Sequence, residues 1–289
     1  MKNKIMEKRG AVFFRLRQVW GGMALWGLMV FGCSSAPERP AELAAFRNMA
    51  QTQLELANRE ADQKNYEAAL NFVDEARRLA TSIDNPVLLV RTGLSRGNIL
   101  FYLGKTEDAA GAWKAALAEA EAAGEADLAA LSRIHIARGR LLAAPSGTAR
   151  IAEEVRSQVR EELAAIKTDR LAAAFGWTVA GLAEKELRLW DDAELSLKKA
   201  LEVHERGNYL SEAAYDWFLI ASVRSVAGRY DAAVEALMTA LKFDRRGENT
   251  YGLASDWRAL GDVYKKMGDP VRSDAAYRRS EGILETLKR

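Results

Sequence analysis

Trp257-Arg258-Ala259-Leu260-Gly261-Asp262-Val263-Tyr264 is the stretch that decides the fold, because it is echoed upstream. Tryptophan recurs at Trp177, Trp217 and Trp257, 40 residues apart each time. Four residues after each tryptophan the side chain is small (Gly181, Ala221, Gly261), and sixteen after it is small again (Ala193, Ala233, Ser273). Seven residues further on come Ala200, Ala240 and Ser280. The frame continues towards the N-terminus through Gly97, Gly104, Ala109, Trp113 and Ala116, then through Tyr66, Ala69, Val73 and Ala76. A fixed period of this kind marks a stack of supersecondary units that bury their apolar faces against one another. Backbones approach closely only where side chains are small, so the small positions mark helix crossings and the aromatic and aliphatic positions fill the gaps between units.

Each unit therefore reads as two helices. Six pairs are predicted, at 41–82, 86–123, 125–166, 168–206, 208–246 and 248–287. Gly104, Gly228 and Gly268 fall in turns within a pair, and Gly124, Gly207 and Gly247 follow a second helix, where a left-handed residue after the helix is expected. Pro86 and Pro270 fall at helix starts, where the missing N–H does no harm. The third pair is degenerate: Ala109 and Ala193 are 84 residues apart, four more than two periods, which places an insert near Ala144-Pro145-Ser146-Gly147. The following segment keeps helical spacing through Ala152, Val155, Val159, Leu163 and Ile166. Only 5 prolines occur in 289 residues, which suits an all-α chain.

These motifs resemble the tetratricopeptide repeat. Trp257 to Tyr264 is similar to the first helix of that repeat, and Gly228-Arg229-Tyr230-Asp231-Ala232-Ala233, leading to Ala240-Leu241, to the second. The period of 40 resembles the longer variant of the family. The resemblance covers about residues 45–287 and is weakest at 125–166. It implies an all-α, right-handed α-solenoid of about six helix-turn-helix repeats, spanning 41–289. It also implies a concave face lined by the first helix of each pair, where partner peptides lie. Carried onto this chain, that face holds Arg91, Leu94, Asn98 and Phe101; Phe175, Thr178, Leu182 and Lys185; Tyr215, Phe218, Ser222 and Ser225; and Ser255, Arg258, Asp262 and Lys265. The Lys/Asn clamp of chaperone-binding members is not reproduced, because Asn98 lacks its basic partners. Trp113, Trp177, Trp217 and Trp257 fall at positions that are core in the family.

The first 32 residues read differently. They carry six basic side chains and one acid, then an uncharged run from Val19 to Gly32. That is a basic region followed by a short apolar one, as in a secretory signal peptide. Fourteen residues span only about 21 Å as a helix, short for a membrane crossing. The only cysteine follows at once: Val30-Phe31-Gly32-Cys33 resembles the lipobox of bacterial lipoproteins, with Phe31 departing from its usual small residue. The resemblance implies that 1–32 is removed, that Cys33 is acylated, and that 33–40, with Pro37 and Pro40, is a short tether. Ser34 after the cysteine implies outer-membrane sorting, facing the periplasm.

Little chemistry is legible beyond that. The net charge of +2 becomes −3 for residues 33–289, which hold 36 basic and 39 acidic side chains, so no nucleic-acid footprint exists. His135 and His204 sit in different repeats without a second histidine or cysteine at metal spacing, and each is expected to be exposed or locally hydrogen-bonded. No phosphate-binding glycine loop, nucleophile elbow or zinc-protease motif occurs. No cofactor, metal or catalytic residue is predicted. The expectation is a non-enzymatic scaffold for a protein or peptide partner in the cell envelope, membrane-held through its lipid. The alternative is a solute- or ligand-binding accessory of an envelope transporter, which a tightly coiled, aromatic-lined interior would favour.

Overall fold

The structure, a computed structural model, describes residues 41–145 and 149–287. The signal segment, Cys33 and the tether to residue 40 lie outside the described residues. Twelve α-helices follow in order: α1 (Ala41–Asp62), α2 (Tyr66–Ser82), α3 (Pro86–Tyr102), α4 (Thr106–Ala122), α5 (Ala126–Ala143), α6 (Ala149–Ala165), α7 (Arg170–Glu186), α8 (Trp190–Arg206), α9 (Leu210–Val226), α10 (Tyr230–Arg246), α11 (Thr250–Lys266) and α12 (Pro270–Thr286). Each packs on its neighbours in sequence, and among the described residues there is no strand. The six predicted pairs are present as a helical-repeat solenoid.

The turns show how the period is enforced. Nine of the ten fully described inter-helix turns place one residue in the left-handed region: Lys64, Asp84, Gly104, Gly124, Arg188, Asn208, Gly228, Glu248 and Gly268. After α3, Lys105 N donates to Leu100 O at 2.9 Å and Gly104 N to Phe101 O at 3.0 Å. That pair of hydrogen bonds satisfies carbonyls the helix end would leave open. Here Gly207 and Gly247 differ from expectation: both have φ of −85° and cap their helices, while the next residues, Asn208 and Glu248, take the left-handed place. Gly207 is needed for space instead, since a Cβ there would meet the Tyr209 ring at 2.2 Å.

The third pair departs where the insert was predicted. Three of the four extra residues fall between the starts of α5 and α6, and the fourth lies before α7. The α6–α7 turn has no left-handed residue; Asp127 holds it instead. Its carboxylate accepts the backbone N–H groups of Lys167 (2.9 Å), Thr168 (2.8 Å) and Asp169 (2.8 Å), which keep its pKa well below the carboxylate range.

The crossings are closed by small side chains: Ala69, Ala109, Ala193, Ala233 and Ser273 are buried. Of the four frame tryptophans only Trp113 is fully buried. It sits between α3 and α5, where a Cβ on Gly97 or Gly139 would come within 2.4 Å of its ring. Trp177, Trp217 and Trp257 pack against the core clusters as expected but are only half-buried. Each packs one part of its indole against a core cluster and leaves the rest to a polar neighbour. Lys199 covers Trp177 at 4.0 Å and Arg279 covers Trp257 at 4.5 Å, while Trp217 Nε1 donates to Glu205.

Candidate functional site: the inner face of the solenoid

Which side is concave follows from the packing. The odd-numbered helices touch across their intervening partners: α1 with α3, α3 with α5, α5 with α7, α7 with α9 and α9 with α11. The even-numbered helices form no comparable contacts. The compressed side is the inner one, so α3, α5, α7, α9 and α11 line it.

The residues placed there by the repeat frame have different fates. Tyr215 is 45% exposed and stacks on Phe218 at 6.5 Å. Phe218 and Asp262 share a cleft of about 180 Å³ between α9 and α11 with Ser222, Ser225 and Lys266. Asp262 accepts the Tyr277 hydroxyl at 2.6 Å, and Arg258 and Lys265 are exposed on the same helix. Lys185 is half-buried on α7. Phe101 packs on Trp113 at 5.8 Å, and the buried Asn98 Oδ1 has no hydrogen-bond partner. Arg91 is engaged: its guanidinium reaches Asp169 at 2.9 Å, two repeats away, and Asp169 also caps α7. Leu94, Thr178 and Ser225 are buried rather than open.

Several residues escaped the sequence frame because they lie in the degenerate third pair. Arg138, on α5, is 7% exposed and donates from Nη2 to the Tyr102 hydroxyl at 2.8 Å. Its guanidinium lies 5.8 Å from the Tyr102 ring centre and 5.9 Å from that of Phe175. Burial raises the pKa of the Tyr215 hydroxyl, and Arg138 opposes that shift. His135 stacks on Phe175 at 4.2 Å. It is buried and its Nδ1 has no hydrogen-bond partner, contrary to the expectation of an exposed or bonded histidine. Burial, aided by Arg138, pushes its pKa down to about 3, so it is neutral at physiological pH.

The coil is tight enough for the first pair to reach the last. Lys64, in the α1–α2 turn, lies 4.6 Å over the ring of Tyr251 on α11. Asp62 is pushed up to about 6 by burial and by Glu212 and Asp244, acids of the fifth pair. Two further polar pairs join consecutive repeats. His204 Nδ1 lies 2.7 Å from Asp216 Oδ2, and Thr178 Oγ1 donates to the same carboxyl at 3.0 Å. Burial still raises the pKa of Asp216 above the usual range. At the next junction Asp244 faces Asp256, and burial raises both, Asp256 further because Asp244 lies beside it. Glu184 and Glu194, the remaining buried carboxylates, are paired with arginine. Among the described residues no cluster of three or more His, Cys, Asp or Glu could hold a metal ion.

This is the fold of a tetratricopeptide-type helical-repeat protein. No family model and no curated protein matches the chain. Solved structures do. A Rap protein complexed with Competence and Sporulation Factor is similar at a TM-score of 0.58 and 15% identity, covering 83% of this chain and 76% of that one. A Rap conjugation gene regulator in complex with a Phr peptide gives 0.60 at 15%, covering 84% and 64%. Aspartyl phosphate phosphatase F from Bacillus subtilis gives 0.51 at 12%, covering 84% and 72%. At these identities the likeness is one of fold.

Proposed function

We propose that this protein is an interaction scaffold that takes a protein or peptide partner along its inner face. In the same reading it is held in the cell envelope by a lipid on Cys33. The observation that carries the binding role is the inner face itself. Exposed Tyr102 and Tyr215, stacked Phe218 and the cations Arg138, Arg258 and Lys265 are presented by rigid first helices. Aromatic and arginine side chains are the types most often found as binding hot spots. Solenoids offer such extended surfaces because each repeat adds one more inner helix. Two of the similar structures are named as complexes with a peptide or factor, which supports the reading by analogy of fold. One is named a phosphatase; here the buried carboxylates serve junctions between repeats, so we read the chain as non-enzymatic.

The anchor rests on Gly32-Cys33 at the end of an uncharged run. No described helix is long and apolar enough to cross a membrane. Several acyl chains on one cysteine would hold the chain stably, where one chain is marginal. Solute binding is the second reading, favoured by the tight coil and the tyrosines that line it.

Two measurements test the proposal. Intact-mass analysis of membrane-extracted protein should find an acylated Cys33 as the first residue; an unmodified chain beginning at Met1 or Met6 would remove the anchor. A photo-crosslinking amino acid in place of Tyr215 should trap a protein partner in cells, identified by mass spectrometry. The same probe at Lys242, on α10, should not. Adducts from position 242 alone would place binding on the other face.

A further inference from the structure

We infer that Arg138 is the anion-recognising residue of the inner face, and that the partner is an extended peptide presenting a carboxylate there beside an apolar side chain. This rests on the reading of the inner face as a peptide-binding surface and adds what that surface selects for.

Arg138 stands apart from the other arginines that are buried or half-buried. Arg77 pairs with Glu119, Arg91 with Asp169, Arg133 with Glu121 and Glu162, Arg156 with Glu184, and Arg224 with Glu194. Arg138 is among the most buried of them, at 7% exposure, yet among the described residues no carboxylate meets it. Its hydrogen-bonding partners are neutral phenols, Tyr102 at 2.8 Å and the Tyr215 hydroxyl. A guanidinium has five N–H donors in a planar fork and stays protonated at any physiological pH. Burying it without an anion is costly, and the aromatic faces beside it return only part of that cost.

Its surroundings are built for a ligand rather than for packing alone. Tyr102, which holds the guanidinium, is 53% exposed, and Tyr215, whose hydroxyl feels its charge, is 45% exposed. A buried cation thus sits at the base of an open aromatic surface. The neighbouring His135 is neutral, so Arg138 supplies the positive charge there alone. A carboxylate fits this setting because the fork binds it through two parallel bonds, and the tyrosine rings offer contact to the apolar group beside it. A nucleic acid does not fit a body that is net acidic and offers one buried cation. Arg138 also lies on the third of six pairs, so a chain running along the inner face crosses it midway.

The test uses the full-length chain and an arrayed peptide library in which every acidic member has an amide-matched twin. The best hit is then measured in solution by fluorescence polarisation. The wild type should prefer the acidic peptide over its twin by more than about tenfold. Arg138→Gln should abolish that preference and leave binding of the amide twin within about threefold. Arg138→Lys, which keeps the charge without the fork, should fall between. The wild-type comparison stands even if a variant fails to fold. Equal binding of acid and amide by the wild type would overturn the inference and leave the groove reading intact. Binding of no peptide at all would sink the groove reading itself. If 3-phenylpropionate alone displaced the acidic peptide at equal concentration, the site would serve a small organic acid and the peptide assignment would be wrong.

Discussion

The α8/α9 and α10/α11 junctions occupy the same place in the repeat, 40 residues apart, and differ in chemistry. His204 and Asp244 are equivalent, as are Asp216 and Asp256, and all four are at most 6% exposed. The first junction joins an imidazole to a carboxyl at 2.7 Å. The second faces two carboxyls. Asp244 there accepts Asn249 Nδ2 at 2.9 Å, while Asp256 Oδ2 finds no hydrogen-bond partner. Earlier in the array the same places hold Ala80 with Thr92 and Ala120 with Ser132, all neutral and fully buried or nearly so. The repeat geometry thus fixes how deeply a side chain is buried. The identity of the side chain decides whether that burial is satisfied, and at what pH.

The largest effect is expected at the first junction. His204→Ala leaves the buried Asp216 with Thr178 alone, and breaking a buried pair typically costs about 3–5 kcal/mol. Equilibrium unfolding in urea at pH 7 measures this; a loss below about 1 kcal/mol would mean the pair is not what holds α8 to α9. The second junction should respond in the opposite sense. Asp244 and Asp256 have folded pKa values raised to about 6 and about 9, against ordinary carboxylates in the unfolded chain, so folding takes up protons. Their stabilising contribution is full below about pH 4 and is lost as pH rises through about 6 and then about 9. Asp256→Asn keeps a neutral hydrogen-bonding group at every pH. It should leave stability near wild type at pH 5 and raise it by on the order of 1–2 kcal/mol at pH 8.5. Thermal melting of both proteins at the two pH values decides the matter, and a variant less stable at pH 8.5 would show that the pair is not strained there.

Much of the fold was legible because helix crossings tolerate only small side chains. Ala69, Ala109, Ala193 and Ala233 recur for that reason, and the same spacing located the extra residues around Ala144. The tryptophans misled in part: a fixed period shows that a position matters to packing, and only Trp113 is enclosed by glycines on both sides. The inner face was legible where the motif is strong, at Tyr215, Phe218, Arg258 and Asp262. It was hidden in the third pair, which has neither the tryptophan nor the glycine of its neighbours. Counting from helix starts rather than motifs would have found Arg138, since it stands where Asn98, Ser222 and Asp262 stand in their own repeats. The approach of Lys64 to Tyr251 was not legible, because coil pitch accumulates from small rotations at every repeat and is written in no single motif.

The central claim is that recognition belongs to the inner face. The direct measurement is capture of the crosslinked partner by two double variants, with helical circular dichroism recorded for each. Phe218→Ala with Arg258→Glu alters the inner face; Lys114→Ala with Lys242→Ala alters exposed positions on the even-numbered helices α4 and α10. The inner pair should weaken capture more than tenfold, about 1.4 kcal/mol, with helicity retained, and the outer pair should leave it unchanged. Loss of capture in the outer pair, with the inner pair unaffected, would contradict the account.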